Sequence, residues 1–530
     1  MLTFFVVVPT LLAVFLFVFS GNKSARVIAI GFQTALTAFA AYLFMQSRQG
    51  TVYTHVGDYE GFLGIVLRAD VLASVFVLLT AFIFLIVTIY CLNENHIRTY
   101  WFLLFLLEAS LIGLFLTRDF FNAFVLIEVG TVVVTILLMY DRQRRNLFTG
   151  MKFLMVNILV VQFYLFGMGY LYMLTGVLDM QQAAYVMATL DPADLVLPYA
   201  LFMTAIAAKC SLLPLMTWLP KVNAMPAARS SVAALMSGLH IKSGVYLFIR
   251  LQESFGDFAL NEFFIILGII TGVAGIIGAL AQRKLRLVLA YSTIAQIGLI
   301  MIGLNMTEAH YAHYGALFHI INHAIFKCAL FLGAGLIINR YKTQDIGQIR
   351  GLFKVNKPLA IAMALALLGI VGAPLFNGSI SKYFIMREAA TALEWSMILI
   401  NLGTILICIK LAVMFFGKPR ADVSKVSSDW YKQASLVALG AVCLVLGILG
   451  EPFKNFAFNL DVHVDNLSYF EKSLIFAASL AVGLLLSKFV LKDYKILRRL
   501  ERFDLSFKTM CVSVGLFFAA TLVVGGISLH

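Results

Sequence analysis

Charge is what this 530-residue chain has least of: Asp, Glu, Lys and Arg together make up 13% of it. A soluble domain carries about 25%, so most of this chain must face lipid or other buried helices, and no polar stretch is long enough to fold alone. Cysteine is sparse too. The six (Cys91, Cys210, Cys328, Cys408, Cys443, Cys511) stand singly, without CxxC or CxxxC spacing, which excludes an iron–sulfur cluster or a disulfide framework. There is no GxGxxG after a strand and no Walker loop, so no nucleotide chemistry is visible. The first apolar run lacks a basic n-region and a small-residue cleavage site and reads as a retained helix. Acidic residues are fewer than basic ones, 27 against 40, a formal charge of +13. That excess lies in loops between apolar spans, which argues against nucleic acid as a partner.

What is abundant is apolar: 61% of residues, with mean hydropathy +0.93. Read as runs of about 20 residues, these predict sixteen spans. The limits are 2–20, 26–46, 70–93, 99–117, 119–140, 150–175, 195–218, 228–251, 258–281, 285–305, 308–338, 358–388, 395–416, 433–450, 469–491 and 507–527. The basic loops test that count. On one side fall, among others, Arg142, Arg144, Arg145, Arg283, Lys284, Arg286 and Arg340, in all 27 of the 40 Lys and Arg, while the opposite loops hold seven. Such alternation follows the positive-inside rule and places both termini outside the cytoplasm. The basic stretch Lys492–Arg502 is expected to lie along the cytoplasmic surface. Residues 47–69 read as an irregular outer loop. Gly268, Gly272, Gly275 and Gly278 form a small-residue packing face.

Against this background, ionisable residues inside spans stand out. Lys209, Lys242, Lys327, Lys382 and Lys410 lie mid-span, as does Glu128. A charge at the bilayer centre costs about 3 kcal/mol on insertion scales, so such residues are rarely retained without a use. Lysine, unlike arginine, gives up its proton when desolvated, which favours a proton path over a set of static ion pairs. Lys209 is followed by Pro214, and Lys382 is preceded by Pro374. Proline breaks helices, and broken helices near the midplane are where transporters place ion sites. His319, His323 and Lys327 follow one another at i, i+4 and i+8, so one helix face presents three ionisable groups about 6 Å apart. That spacing suits a relay through waters. It also suits a zinc pair, but nearby spans offer little Cys, Asp or Glu to complete one, and no metal or cofactor is expected. His240 precedes Lys242 by two positions and points to the other side of a regular helix; it reads equally as a relay or as a packed, hydrogen-bonded histidine. Glu108 reads equally as a partner for one of the lysines or as a helix–helix polar contact. His313 and Lys410 are not assigned a role, and Tyr291 and Ser292 are candidate hydroxyls.

The stretches KCSLLPLMTWLP, VAALMSGLHIKSGVYLFIR, LRLVLAYSTIAQIGLI and HIINHAIFKCALFLGAG resemble the antiporter-like subunits shared by proton-pumping NADH–quinone oxidoreductase, Mrp cation/proton antiporters and membrane-bound hydrogenases. The early HVGDYEGFLGIVLRADVLASVF is most similar to the D-type branch of the Mrp subunits, and the similarity covers about residues 50–420. The resemblance implies an all-α polytopic membrane protein of about 14 core helices. It further implies two inverted five-helix repeats with broken helices 7 and 12, and about two C-terminal helices follow here. Residues 1–98 would be helices 1–3, 99–251 the first repeat, 258–416 the second and 433–530 the C-terminal helices. It also implies a path in which Glu128 and Lys209 form a modulating pair, Lys242 is central, His319, His323 and Lys327 relay, and Lys382 is the exit. The chain departs from its relatives at Val222-Asn223, where many have Ala-His, and at Gly378-Ser379-Ile380. It has no room for the long lateral helix of the largest such subunit.

The expectation is therefore a proton-translocating subunit, with no redox site of its own, in a multi-subunit complex of a bacterial or archaeal plasma membrane. A Na+/H+ antiporter subunit is favoured over the pumping subunit of a redox complex, and both over a scaffold with structural lysines. The partners would be other membrane subunits, lipid, protons and, in the antiporter, Na+.

Overall fold

The computed structural model describes residues 1–530 except 20–21, 60–63, 95–97, 224, 226–228, 308, 421–422, 424–428, 491–505 and 530. The expected surface stretch Lys492–Arg502 therefore lies outside the described residues. Elsewhere the chain is almost wholly helical. Thirteen helices among the described residues are long and apolar enough to cross a membrane, so this is a polytopic membrane protein. The other three expected spans also exist, in a different form. One is the shorter helix α1 (Phe4–Phe19); the other two are helices that break.

The N-terminal group continues with α2 (Asn22–Ser47), α3 (Val71–Cys91) and α4 (Arg98–Leu116). The expected irregular loop 47–69 instead contains an antiparallel hairpin of β1 (Val52–His55) and β2 (Val66–Ala69). Alternating exposure along β1 is the two-residue period of a half-buried strand. Next come α5 (Phe120–Met139), α6 (Arg144–Thr175), the short α7 (Met180–Met187) and α8 (Pro192–Lys209). Asp119, Asp179 and Asp191 cap α5, α7 and α8 by accepting amide hydrogens of their first turns, which satisfies donors a helix start leaves open.

At Lys209 the seventh expected span stops. Ser211 has φ 56°, a left-handed conformation that ends a helix, and the chain resumes as α9 (Trp218–Asn223). α10 (Ser230–Leu235) leads through a π-helical turn, Met236–His240, into α11 (Ile241–Phe255). A second run follows: α12 (Asn261–Ala281), α13 (Leu285–Asn305), α14 (His310–Tyr341), a short α15 (Leu352–Val355) and α16 (Lys357–Val371). Here the twelfth expected span breaks, with Gly372 at φ 77° and Leu375 at φ 71°, and restarts as α17 (Asn377–Met386). Prolines 214 and 374, which cannot donate a helical hydrogen bond, lie in the two breaks.

α18 (Thr391–Ala412), α19 (Trp430–Ile448), α20 (Gly450–Phe458), α21 (Asn466–Val490) and α22 (Phe507–Ile527) complete the chain. α21 packs on α18, whereas α22 packs on α8 and α6. The buried centre is formed by α8, α10–α11, α13, α14 and α17, and α14 is buried along most of its length. Apolar burial does not hold helices together in lipid, so close backbone approach has to. The glycine face provides it: a Cβ at Gly275 would meet Ala295 N at 2.4 Å, and one at Gly278 would meet the Tyr291 ring at 2.3 Å.

Candidate functional site: a buried line of lysines and histidines

Lys209 is the last residue of α8 and is buried. Its Nζ donates to Thr131 Oγ1 (2.8 Å) and Asn157 Oδ1 (3.0 Å). Thr131 stands three residues after Glu128 on α5, one helical turn away. No direct ion pair joins Glu128 to Lys209 among the described residues, yet the two charges act on each other. Glu128 is half-buried beside an exposed apolar face of α5 (Val125, Val129, Val132), and its buried Oε1 has no hydrogen-bond partner.

From Lys209 the line turns to the π-helical segment. A Cβ at Gly244 would lie 2.9 Å from Lys209 Cβ, so α11 runs directly against the end of α8. His240 feels the charge of Lys209, whereas Lys242 feels that of Lys327. Lys242 is fully buried, and its Nζ donates to the carbonyl of Ser237. That carbonyl lies in the π turn, a helical irregularity frequent at functional sites. Ser237 Oγ in turn accepts from Asn223 Nδ2 (3.1 Å). Asn223, the departure noted above, therefore ties the half-helix α9 to the segment that holds Lys242.

α14 carries the next three groups. Lys327 Nζ donates to Leu289 O (3.0 Å) and to Ser292 Oγ on α13. His323 is fully buried, with neither ring nitrogen hydrogen-bonded among the described residues; it stacks edge-on against Phe326 (5.4 Å) and lies 6.4 Å, ring to ring, from His319. His319 Nε2 is 3.0 Å from Gln296 Oε1, and Nδ1 is 2.8 Å from Ser381 Oγ on α17. Since an amide oxygen only accepts, Nε2 carries the hydrogen. Nδ1 then accepts from the serine hydroxyl when the ring is neutral and donates to it when charged. One residue after Ser381 comes Lys382, whose Nζ donates to Ile370 O (2.8 Å), Val371 O (3.1 Å) and Asn401 Oδ1 (2.7 Å). His319 also feels the Lys382 charge.

The fold thus places Glu128 and Lys209 at one helix break, Lys382 at the other, and Lys242, Lys327, His323 and His319 on the buried helices α11 and α14 of the bundle centre. Residues standing aside are equally plain. Glu108 Oε1 accepts from Gln33 Nε2 (2.6 Å), joining α4 to α2, and no lysine contacts it among the described residues. Lys410 caps α12, donating to Leu280 O (2.7 Å) and Gln282 O (2.5 Å). His313 Nδ1 lies 3.3 Å from Leu304 O. Sequence reasoning missed Asn157, Gln296, Ser381 and Asn401. An uncharged amide deep in an apolar span was the signal available for three of them.

Residues 117–409 match the family described as NADH:quinone oxidoreductase/Mrp antiporter, TM. The chain belongs to that family. Among curated relatives it is 27% identical over 486 residues to the D-type subunit of the Na(+)/H(+) antiporter of Alkalihalophilus pseudofirmus, covering 88% of this chain and 98% of that one. It is 30% identical over 366 residues to the N-type subunit of the NADH-quinone oxidoreductase of Desulforudis audaxviator, covering 67% and 72%. A chain in the structure of the Mrp complex from Dietzia sp. DQ12-45-1b superposes with a TM-score of 0.80, at 22% identity, over 92% of this chain and 99% of that one. This last likeness confirms the antiporter-like fold.

Proposed function

We propose that this chain is the proton-carrying membrane subunit of a multi-subunit Na+/H+ antiporter of the Mrp type, in the position of its D-type component. The observation that carries this reading is the relationship to such an antiporter component along 98% of that protein's length, in a chain whose centre holds the buried line just described. Residues 99–251 and 258–416 are the two repeats, each containing one broken helix. Both termini face away from the cytoplasm of a prokaryotic cell, as the basic loops require.

In this reading a proton on Lys209 is held by Thr131 and Asn157 and steadied by the nearby Glu128 carboxylate. A neighbouring subunit against the exposed face of α5 moves Glu128 or its field, and the proton passes by way of the π turn to Lys242. It then crosses to α14 and travels along Lys327, His323 and His319 to Lys382. Opening one charge pair in a low dielectric supplies a few kcal/mol, and the membrane potential adds about 2.3 kcal/mol per charge per 100 mV. The relationship to a membrane subunit of a quinone oxidoreductase favours a second reading, the same proton path serving a redox complex whose electron chemistry lies in other chains.

Purifying the chain with its native partners and identifying them by mass spectrometry separates the two. Small antiporter subunits support the first reading; dehydrogenase or hydrogenase subunits support the second. For the path itself, Lys209→Ala and Lys382→Ala complexes in proteoliposomes are expected to lose at least nine-tenths of proton movement. Full transport in both variants refutes it.

A further inference from the structure

The surroundings of Lys382 contain more than a proton carrier needs. α16 ends with Gly372, whose amide reaches back to Leu368 and Gly369, and Ala373 N also bonds Leu368 O. Pro374 has no N–H to offer. The carbonyls of Ile370 and Val371 are thereby left to Lys382 Nζ, at 2.8 and 3.1 Å. They form the negative end of a half-helix dipole inside the bundle. Asn401 Oδ1, 2.7 Å from the same nitrogen, closes the group from α18. A Cβ at Gly372 would come within 3.1 Å of Lys382 Cδ, so glycine there leaves the lysine stem room to move. Beside the ammonium lies a cavity of ≈ 40 Å³ bordered by Gly372, Ser379, Asn401, Tyr469 and Lys472, enough for roughly three waters at about 10–15 Å³ each.

We propose that the three oxygens around Lys382 Nζ are a monovalent-cation site, holding Na+ whenever the Lys382 amine has released its proton and swung into the adjacent cavity. Carbonyls at an exposed half-helix C-terminus are the ligands transporters use for Na+, and cavity waters complete the shell. The exchange balances: one N–H bond of the ammonium breaks, the proton leaves through the cavity water, and one cation takes its place, so the site carries a single positive charge in either state. Occupancy by one excludes the other, which couples the two fluxes one for one at this position.

Of the charged and titratable groups around Lys382, Lys454 comes from α20, its ammonium held over the Phe384 ring (3.4 Å) rather than on the three oxygens. His319 approaches from α14 and Cys408 from α18, Tyr383 is its neighbour on α17, and Tyr469 bonds Ser379 (2.8 Å) from α21. Lys472 at the mouth is neutralised by an ion pair with Glu394. The comparable carbonyl group around Lys410 differs in this respect: its cavity is bordered by Arg283 and Arg350 against the single acid Asp345, a net positive lining that disfavours a further cation.

This inference rests on the antiporter reading, and the experiment distinguishes their failures. The complete complex is reconstituted in proteoliposomes, and Na+-driven proton movement is followed by a pH-sensitive dye against Na+ concentration. Asn401→Ala is expected to raise the half-saturating Na+ concentration about tenfold and Asn401→Asp to lower it. Lys382→Arg, which keeps its proton, should abolish the Na+-driven signal. In the wild type the half-saturating Na+ concentration should rise as external pH falls. Assembly is checked by size-exclusion chromatography; should Asn401→Ala not assemble, the Asn401→Asp and Lys382→Arg complexes carry the test. Unchanged half-saturation in the assembled Asn401 variants, with transport still lost in Lys382→Ala, overturns the cation site and leaves the proton path standing. Full transport in Lys382→Ala overturns the cation site, and full transport in Lys209→Ala as well overturns the proton path.

Discussion

His323 offers a perturbation in which stability and function should move in opposite directions. It is fully buried on α14 and neither ring nitrogen has a hydrogen-bond partner among the described residues, whereas His319, one turn away, has two. Leaving a buried polar group unsatisfied costs about 1–3 kcal/mol. His323→Leu, close to it in volume, removes that cost and should leave the complex as stable as the wild type or up to about that much more stable. Transport should collapse. His323 divides the stretch from His319 to Lys327 into two steps of about 6 Å each, each short enough for one water to bridge only while a proton passes. Without it a single gap of about 12 Å remains between titratable groups. Removing a positioned proton carrier costs about 10²–10⁴-fold in rate, so proton movement in proteoliposomes should fall at least a hundredfold, while thermal unfolding of the purified complex shows an equal or higher midpoint. His323→Leu transporting at the wild-type rate refutes the relay. A large loss of stability refutes the reasoning from the unpartnered imidazole.

Two further predictions test the frame around the path. A Cβ at Gly298 would lie 2.5 Å from both Gly268 O and Gly272 N; Gly298→Ala should push α13 from α12 and cost about 1–3 kcal/mol, read as a lower unfolding midpoint, and an unchanged midpoint refutes the close packing. Asp70 caps α3 through Ala73 N (2.8 Å) and receives two hydrogen bonds from Arg250 (2.7 and 2.8 Å). Burial pushes its carboxyl up, but Arg250, with the Ala73 amide and Arg68, outweighs this and holds it below the usual range. A lowered carboxyl stabilises the folded state above its unfolded value of about 3.9, and that stabilisation is lost as pH falls through the folded value. The wild type should therefore lose thermal stability below about pH 4. Asp70→Asn should be less stable at neutral pH and show a smaller acid-induced loss; parallel pH profiles for the two refute the clamp.

How much of the site was legible in the sequence differs between its two halves. The buried ionisable groups were legible, because a lysine or histidine inside an apolar span is costly wherever the helices later pack. Their mutual order was legible only on α14, where i, i+4 and i+8 spacing is local. Whether Glu108 would meet a lysine was not, because that depends on which side chains the packed helices bring to it; the one that reaches it is Gln33 of α2. The π turn before Lys242 was not foreseen, since nothing in Met236–His240 marks one.

The sequence by itself determined that this chain crosses a membrane many times, where two spans break and which residues carry charge in their midst. These follow from transfer costs and from proline, and both act locally. Only the tertiary structure decided what holds each charge: Asn157 for Lys209, Ser292 for Lys327, Gln296 and Ser381 for His319, and the end of α16 with Asn401 for Lys382. Those partners lie 11 to 62 residues away. A helix that is apolar all round carries no stripe to set its rotation, so only packing against its neighbours determines which polar side chains meet.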